Sequence, residues 1–301
     1  MKAAEFDYLR AASLAEACEA LKIAGDDSER KIIAGGQTLV PLMAMRLARP
    51  TLLIDINDID DLKGISVSSE AVTIRAGTRQ RAAERSDVVR DNLPLLAHAL
   101  PFIGHWQTRN RGTVGGSLAC ADPSAEIPLV AMTLDAQMVA RSADRGERII
   151  PAAAFFEAAM MTTLAEDECL AEVRFPIWSD AIGVGFHEVS SRKSDFAVAS
   201  AAAQIALDSD GVCRRIALAV GGVAPTPTRL GQIEAALLGS RLDDKLVSET
   251  TAGIGAMIDP DDDLHGTAGY RKRVAGILAG RAICDARDNA RVGAQGRGNA
   301  A

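Results

Sequence analysis

Between Gly104 and Asp122 the chain reads GHWQTRNRGTVGGSLACAD, too rich in glycine and polar side chains for a core helix or a core strand. The run is expected to be a loop. Its second half, Arg109 to Pro123, sets Gly112, Gly115 and Gly116 beside the hydroxyls of Thr113 and Ser117 and the guanidinium groups of Arg109 and Arg111. Glycine lets a backbone come close to a bound molecule, while hydroxyls and amides offer donors to phosphate or sugar oxygens. A purely structural loop is the alternative at this point.

A second glycine segment lies upstream. Lys31 to Ala34 reads as a strand, Gly35 and Gly36 as a turn, and Leu39 to Leu47 as a helix that stops before Pro50. Adjacent glycines between a strand and a helix turn backbone N–H groups toward an anion, so Ala34-Gly35-Gly36-Gln37-Thr38 is a candidate diphosphate site. It matches neither GxGxxG nor a P-loop, and an ordinary tight turn remains its alternative.

The rest of the chain supplies a mixed scaffold. Ser13 is placed to cap a helix carrying Leu14, Ala17, Cys18 and Leu21 at helical spacing, with Gly25 as its stop. Thr51 to Ile56 reads as a buried strand, Ile65 to Val67 and Val72 to Arg75 as a hairpin, and Gln80 to Arg90, Pro94 to Leu100 and Ala125 to Leu134 as helices. Gln137 to Arg141, Arg148 to Ile150 and Cys169 to Phe175 are strands, and a domain boundary is expected near Ile177. Beyond it, Val184 to Ser190, Ala199 to Leu207 and Arg215 to Val220 form a meander, helices follow from Leu230 to Ile283, and residues 286–301 are expected to be a disordered tail. The expected class is α+β, with domains at 1–177 (parts of about 1–56 and 57–177) and 178–285.

A net charge of -7 argues against a general nucleic-acid or anionic-membrane binder, which needs a basic face. No secretory signal and no run long enough to span a bilayer is evident, so a cytoplasmic protein is expected. The five cysteines are scattered without a CxxC pair, and the four histidines have no metal-ligand spacing, so no metal is expected in this chain.

The third candidate segment, FHEVSSRKSDFA from Phe186 to Ala197, runs from a strand into a charged loop closed by an aromatic residue. Alone it is a solvated loop. Together, AGGQTLVPLMAMRL, QTRNRGTVGGSLACADPSAEIP, this third segment and Gly221 to Pro227 resemble the FAD-binding medium subunit of the xanthine dehydrogenase and carbon monoxide dehydrogenase family, the molybdenum hydroxylases, over residues 1 to 285.

The resemblance implies a two-part FAD-binding domain of the vanillyl alcohol oxidase (PCMH) type, followed by a smaller α+β domain of the CO dehydrogenase flavoprotein C-terminal type. By the same resemblance Ala34, Gly35, Gly36, Gln37 and Thr38, with Thr113, Val114, Gly115, Gly116 and Ser117, hold the FAD diphosphate. Glu126 falls where a flavin-contacting acid is usual, often Asp; Leu164 falls near a position lining the cofactor site; Phe196 takes the place of the residue beside the isoalloxazine ring. Cys120, His187 and Asp195 complete the candidate set, with Cys120 read as a small packing residue and His187 more simply as structural. His187 and Glu188 stand where some relatives carry a lysine.

The flavin is expected to be noncovalent, because neither glycine motif presents the His or Cys attachment seen in some oxidases of the wider fold. No catalytic side chain is assigned. A small [2Fe-2S] subunit and a large subunit carrying a molybdenum-pterin cofactor are implied as partners, in a dimer of heterotrimers, with Arg109 and Arg111 either facing the iron-sulfur partner or solvated. Substrate hydroxylation would take place on a partner; this chain would carry electrons. A noncatalytic assembly scaffold and a stand-alone flavin oxidase are the competing functions.

Overall fold

The computed structural model describes residues 2–22 and 29–298. The expected helix stop at Gly25 lies outside them. The chain opens with β1 (Asp7–Arg10), α1 (Leu14–Lys22), β2 (Arg30–Ile33), α2 (Leu39–Ala44) and β3 (Leu52–Asp55). The strands form a parallel sheet in the order β1-β3-β2, and parallel neighbours need crossovers, which the α1 and α2 segments provide. Ser13 caps α1, its Oγ accepting from the Glu16 amide at 3.1 Å, and Leu14, Ala17, Cys18 and Leu21 are buried.

Next come β4 (Ile65–Val67) and β5 (Ala71–Arg75), then six helices: α3 (Gln80–Glu84), α4 (Asp87–Asn92), α5 (Pro94–Ala99), α6 (Trp106–Arg111), α7 (Val114–Cys120) and α8 (Glu126–Thr133). The expected helix over Gln80 to Arg90 is two helices, because Ser86 starts a new one by accepting from the Val89 amide through its side chain. The expected loop from Gly104 to Asp122 is mostly helical, α6 and α7, broken only at Gly112 and Thr113. Thr113 caps α7, with Oγ1 accepting from the Gly116 amide at 3.0 Å. Capping and tertiary contacts thus outweigh the poor helix propensity of the adjacent glycines.

The chain returns through β6 (Gln137–Ser142), β7 (Gly146–Pro151), α9 (Ala152–Phe155), β8 (Phe156–Ala158), β9 (Met161–Thr162) and β10 (Glu168–Pro176). An antiparallel sheet results, in the order β4-β5-β10-β6-β7. Its Ile74, Val173 and Phe175 share a core with Leu95 and Leu96 of α5 and Ile127, Leu129 and Val130 of α8.

The last part holds β11 (Ile182–Ser190), β12 (Ala197–Leu207), β13 (Cys213–Gly221) and β14 (Thr228–Arg229), followed by α10 (Gly231–Leu237), α11 (Asp244–Thr251) and α12 (Ala268–Gly298). The sheet is antiparallel, β11-β12-β13-β14, and β12 is buried on both faces. Alternation sends Ala202, with Phe186 and Ala219, into the core beneath α5 and α8, while Ala199, Ala201, Ala203 and Ile205 pack toward α12. The two-domain α+β architecture expected from the sequence is present.

Of the expected disordered tail, residues 299–301 lie outside the described residues and the rest is helical. Residues 285–298 continue α12. Ala282, Ala286 and Ala290 are buried against β11, where a Cβ on Gly185 would come within 2.8 Å of the Ala282 carbonyl carbon and one on Gly183 within 2.9 Å of the Ala290 Cα. Asp285 Oδ2 accepts from His187 Nε2 at 2.8 Å, and Asn289 Nδ2 donates to the Val184 carbonyl at 2.9 Å. No helix among the described residues is long and apolar enough to cross a membrane.

Candidate cofactor cleft

A cleft of about 670 Å³ lies where the two glycine motifs meet. One wall is the end of β2 and the start of α2, with Ala34, Gly35, Gly36, Gln37 and Thr38; the opposite wall is Thr113, Gly115, Gly116, Ser117 and Cys120; Glu126, Leu164 and Phe196 also line it. Val114 is adjacent but points into the core. His187 and Asp195 do not line the cleft: His187 is paired with Asp285 of α12, and Asp195 Oδ2 accepts from Arg192 Nε at 3.0 Å.

The motifs interlock through missing side chains. A Cβ on Gly35 would stand 2.7 Å from the Gly112 Cα, and one on Gly115 would stand 2.6 Å from the Ala76 Cα. These glycines let one backbone seat on another. Gly36 has a different role, since its φ of +71° is one that L side chains rarely adopt, and it aims the chain from β2 into α2.

Hydrogen-bond accounting separates the motifs further. Val114 N donates to the Thr78 carbonyl, Gly115 N to that of Ala76, Gly116 N to Thr113 Oγ1 and Ser117 N to the Thr113 carbonyl. The second motif has therefore spent its amides on the protein. Among the described residues no carbonyl accepts from the amides of Gly36, Gln37, Thr38 or Leu39 outside regular elements, so the first motif presents an open row of donors. Thr38 also faces the Cys120 thiol, which burial raises above its ordinary pKa, and Cys120 Sγ lies 3.9 Å from Met160 Sδ.

Sequence reasoning missed several groups. Gln80 lines the cleft and is buried, with Oε1 lacking any hydrogen-bond partner, an acceptor that a ligand donor would satisfy. Arg79 Nη2 donates to Asn57 Oδ1 at 2.8 Å and Nη1 to the Arg111 carbonyl, while Asn57 Nδ2 donates to the Ala34 carbonyl at 2.7 Å. Arg79 and Asn57 thereby tie the two motifs together. Arg109 neither faces outward nor stands free: it is buried, its guanidinium paired with Glu84 at 2.9 Å and donating to the carbonyls of Ile103 and Gly104. Burial alone would raise the Glu84 carboxyl, yet Arg109 and Arg81 hold it below the usual range.

Glu126, at the first turn of α8, is 8% exposed, and its pKa is pushed up to about 8, chiefly by burial and then by the charges of Glu188 and Asp122. A neutral carboxylic acid at that place can donate as well as accept. Phe196, 73% exposed, stands at the cleft from the loop joining β11 to β12. A second cleft, about 430 Å³, is lined by Pro101, Phe102, Glu188, Ser190, Lys193 and Ser194. Burial lifts Glu188 to about 7, and its Oε2 has no hydrogen-bond partner.

Residues 4–178 match the family model described as the FAD binding domain in molybdopterin dehydrogenase, and residues 185–286 match the CO dehydrogenase flavoprotein C-terminal domain. The chain is 38% identical to the 6-hydroxypseudooxynicotine dehydrogenase complex subunit alpha of Paenarthrobacter nicotinovorans, covering 97% of both chains. It is 36% identical to the caffeine dehydrogenase subunit beta of Pseudomonas sp. (strain CBB1), covering 96% of this chain and 97% of that one. Among solved structures, a chain of carbon monoxide dehydrogenase from Hydrogenophaga pseudoflava superposes with a TM-score of 0.92 at 35% identity, over 96% of this chain and 99% of that one.

Proposed function

Because the chain belongs to the FAD-binding medium subunits of the molybdenum hydroxylases, we propose that it collects electrons from the [2Fe-2S] clusters of a small partner subunit and passes them to an external acceptor. Substrate hydroxylation belongs to a large molybdenum-pterin subunit, and the assembly is a dimer of heterotrimers. FAD supplies the chemistry, accepting electrons singly and releasing them in pairs.

The observation that carries this reading is the open row of amides from Gly36 to Leu39 beside a cleft with an orphaned buried acceptor. Those amides would hold the FAD diphosphate, as backbone N–H groups at a strand-to-helix turn do for anions. Gly115 seats the facing wall on Ala76, and Ser117 lines that wall. Gln80 Oε1 would accept from a cofactor hydroxyl or amide. Glu126 would face the isoalloxazine ring, with Phe196 covering the ring on the side of the second domain. None of these side chains bonds covalently to the cofactor in this reading.

The test is the visible spectrum of the purified chain, alone and co-expressed with its partner subunits, with acid release of any yellow cofactor. About one FAD per chain, with the isolated chain inert and its flavin reduced by substrate only when both partners are present, is the expected result. A colourless chain in an active complex would leave a scaffold, and substrate turnover by the isolated chain would make it a self-sufficient oxidase.

A further inference from the structure

Two carboxyls, Glu126 buried and Glu188 half-buried, stand on the walls of two different clefts. Glu126 lines the larger one and Glu188 the smaller one. The clefts are built from the same two strips of chain: Pro101 and Phe102 line the smaller while Ile103 lines the larger, and Lys193 and Ser194 line the smaller while Phe196 lines the larger. They are therefore neighbours that share those strips as a wall. Phe102 packs on Phe186 of β11 with ring centroids 5.0 Å apart, which holds that wall in place beside Glu188.

We propose that Glu126 and Glu188 form a two-carboxyl proton path from the smaller cleft to the flavin in the larger one. The proposal rests on the cofactor assignment above. With a flavin held in the larger cleft, the Glu126 carboxylic acid would supply the proton that its reduction takes up, becoming a carboxylate. The proton of the Glu188 carboxyl then crosses to Glu126, and water in the smaller cleft reprotonates Glu188. Where the acceptor takes the two electrons without a hydride, Glu126 would take the proton back and Glu188 would return one to the smaller cleft.

The surroundings suit this role. Glu188 Oε2 is buried without a partner, an arrangement that costs stability in a carboxylate and is relieved when the group carries a proton. Both acids titrate close to neutrality, so each can hold or release a proton under ordinary conditions. The negative charge of Glu188 also raises Glu126, so the two carboxyls titrate as an interacting pair.

The other charged groups nearby leave the pair intact. Asp122 also raises Glu126, and Arg109 on α6 lowers it only weakly, being held by Glu84. At the far end of α8, Arg229 is occupied by Glu234 and Asp135. Around β11, β12 brings no charged side chain, α12 brings Asp285, which His187 engages, and α5 brings His98. Lys193 lines the smaller cleft without an ion pair among the described residues.

Infrared difference spectra of the FAD-loaded complex, oxidised against reduced, test the path across pH in wild type, E126Q and E188Q. Flavin reduction is expected to change the protonated-carboxyl absorption of wild type, and proton uptake followed with an indicator dye is expected to slow by roughly 100-fold in either variant. E188Q should lower the midpoint at which Glu126 ionises, because a neighbouring negative charge is gone. E188D, which keeps a carboxyl, should restore part of the uptake rate. A yellow complex whose carboxyl bands ignore the flavin's redox state, or whose uptake is unchanged in E188Q, overturns the path alone. A complex with no FAD overturns the cofactor assignment and the path with it.

Discussion

The segments Ala34–Thr38 and Thr113–Ser117 carry glycine pairs, the first before α2 and the second in the first turn of α7, yet they spend their backbones in opposite ways. The first leaves the amides of Gly36 to Leu39 open; the second has committed the amides of Val114 to Ser117 to Thr78, Ala76 and Thr113. Gly115 is needed because another backbone lies against it, and Gly36 because its φ is positive. Glycine content marks where a backbone comes close to something, and only a count of donors and acceptors tells whether that something is the protein itself or a ligand.

The widest separation between the motifs should come from Gly115→Ala. Its Cβ would sit 2.6 Å from the Ala76 Cα, a clash with backbone that cannot rotate away, so denaturant melts should show a loss above about 3 kcal/mol, with cofactor retention lost as a consequence. A variant that melts like wild type would mean the second motif is not seated on β5 as described.

The second motif also leads through Asp122 to the buried acid at Glu126, a feature the first motif lacks. Folded Glu126 keeps its proton to about pH 8, whereas in the unfolded chain it ionises near pH 4. Between those values the folded chain binds more protons, so the stabilising contribution is complete below the unfolded pKa and is lost as pH rises through about 8. The FAD-free chain should lose on the order of a few kcal/mol between pH 5 and pH 8, and E126Q should flatten that slope. A thermal stability that rises over this window in wild type and is unaltered by E126Q would contradict the burial assigned to this group.

Smaller effects divide the roles. Gly36→Ala forces an L residue to a φ of +71°, at about 1–2 kcal/mol, and should weaken FAD binding by roughly tenfold as the open amides shift. Thr113→Ala removes the cap of α7 and should cost about 1 kcal/mol of stability while weakening FAD less than Gly36→Ala does. Equal losses of FAD in the two variants, measured by titration, would erase the distinction between the motifs.

The first motif was legible because its logic is local: a strand, a turn that needs glycine, and a helix, although α2 ends at Ala44 rather than at the expected Leu47. The second was misread as a loop because its helices are built by tertiary contacts that no window of sequence displays, Gly115 against Ala76 and Arg79 against the Arg111 carbonyl. The end of α12 was missed for a related reason. Its packing face is alanine, Ala282, Ala286 and Ala290, seated on the glycines of β11, so it has none of the large apolar residues that make a helical period visible. β1 escaped notice because DYLR lies at the edge of its sheet and is mostly exposed. In the cleft, the glycine motifs and Phe196 could be placed by resemblance. Gln80 and Glu188 could not, because what distinguishes them is burial without a partner.

The seat of α12 on β11 also sets an order of events in time. Asp285 follows His187 by 98 residues, so during synthesis the glycine strand emerges long before the helix that covers it. Until then Gly183 and Gly185 have nothing against them, and the face of β11 that α12 will cover is open. The C-terminal domain should therefore be the slow part of folding, with closure of this long loop as its limiting step, and a ribosome-stalled chain ending before α12 should expose β11 to protease and to chaperones.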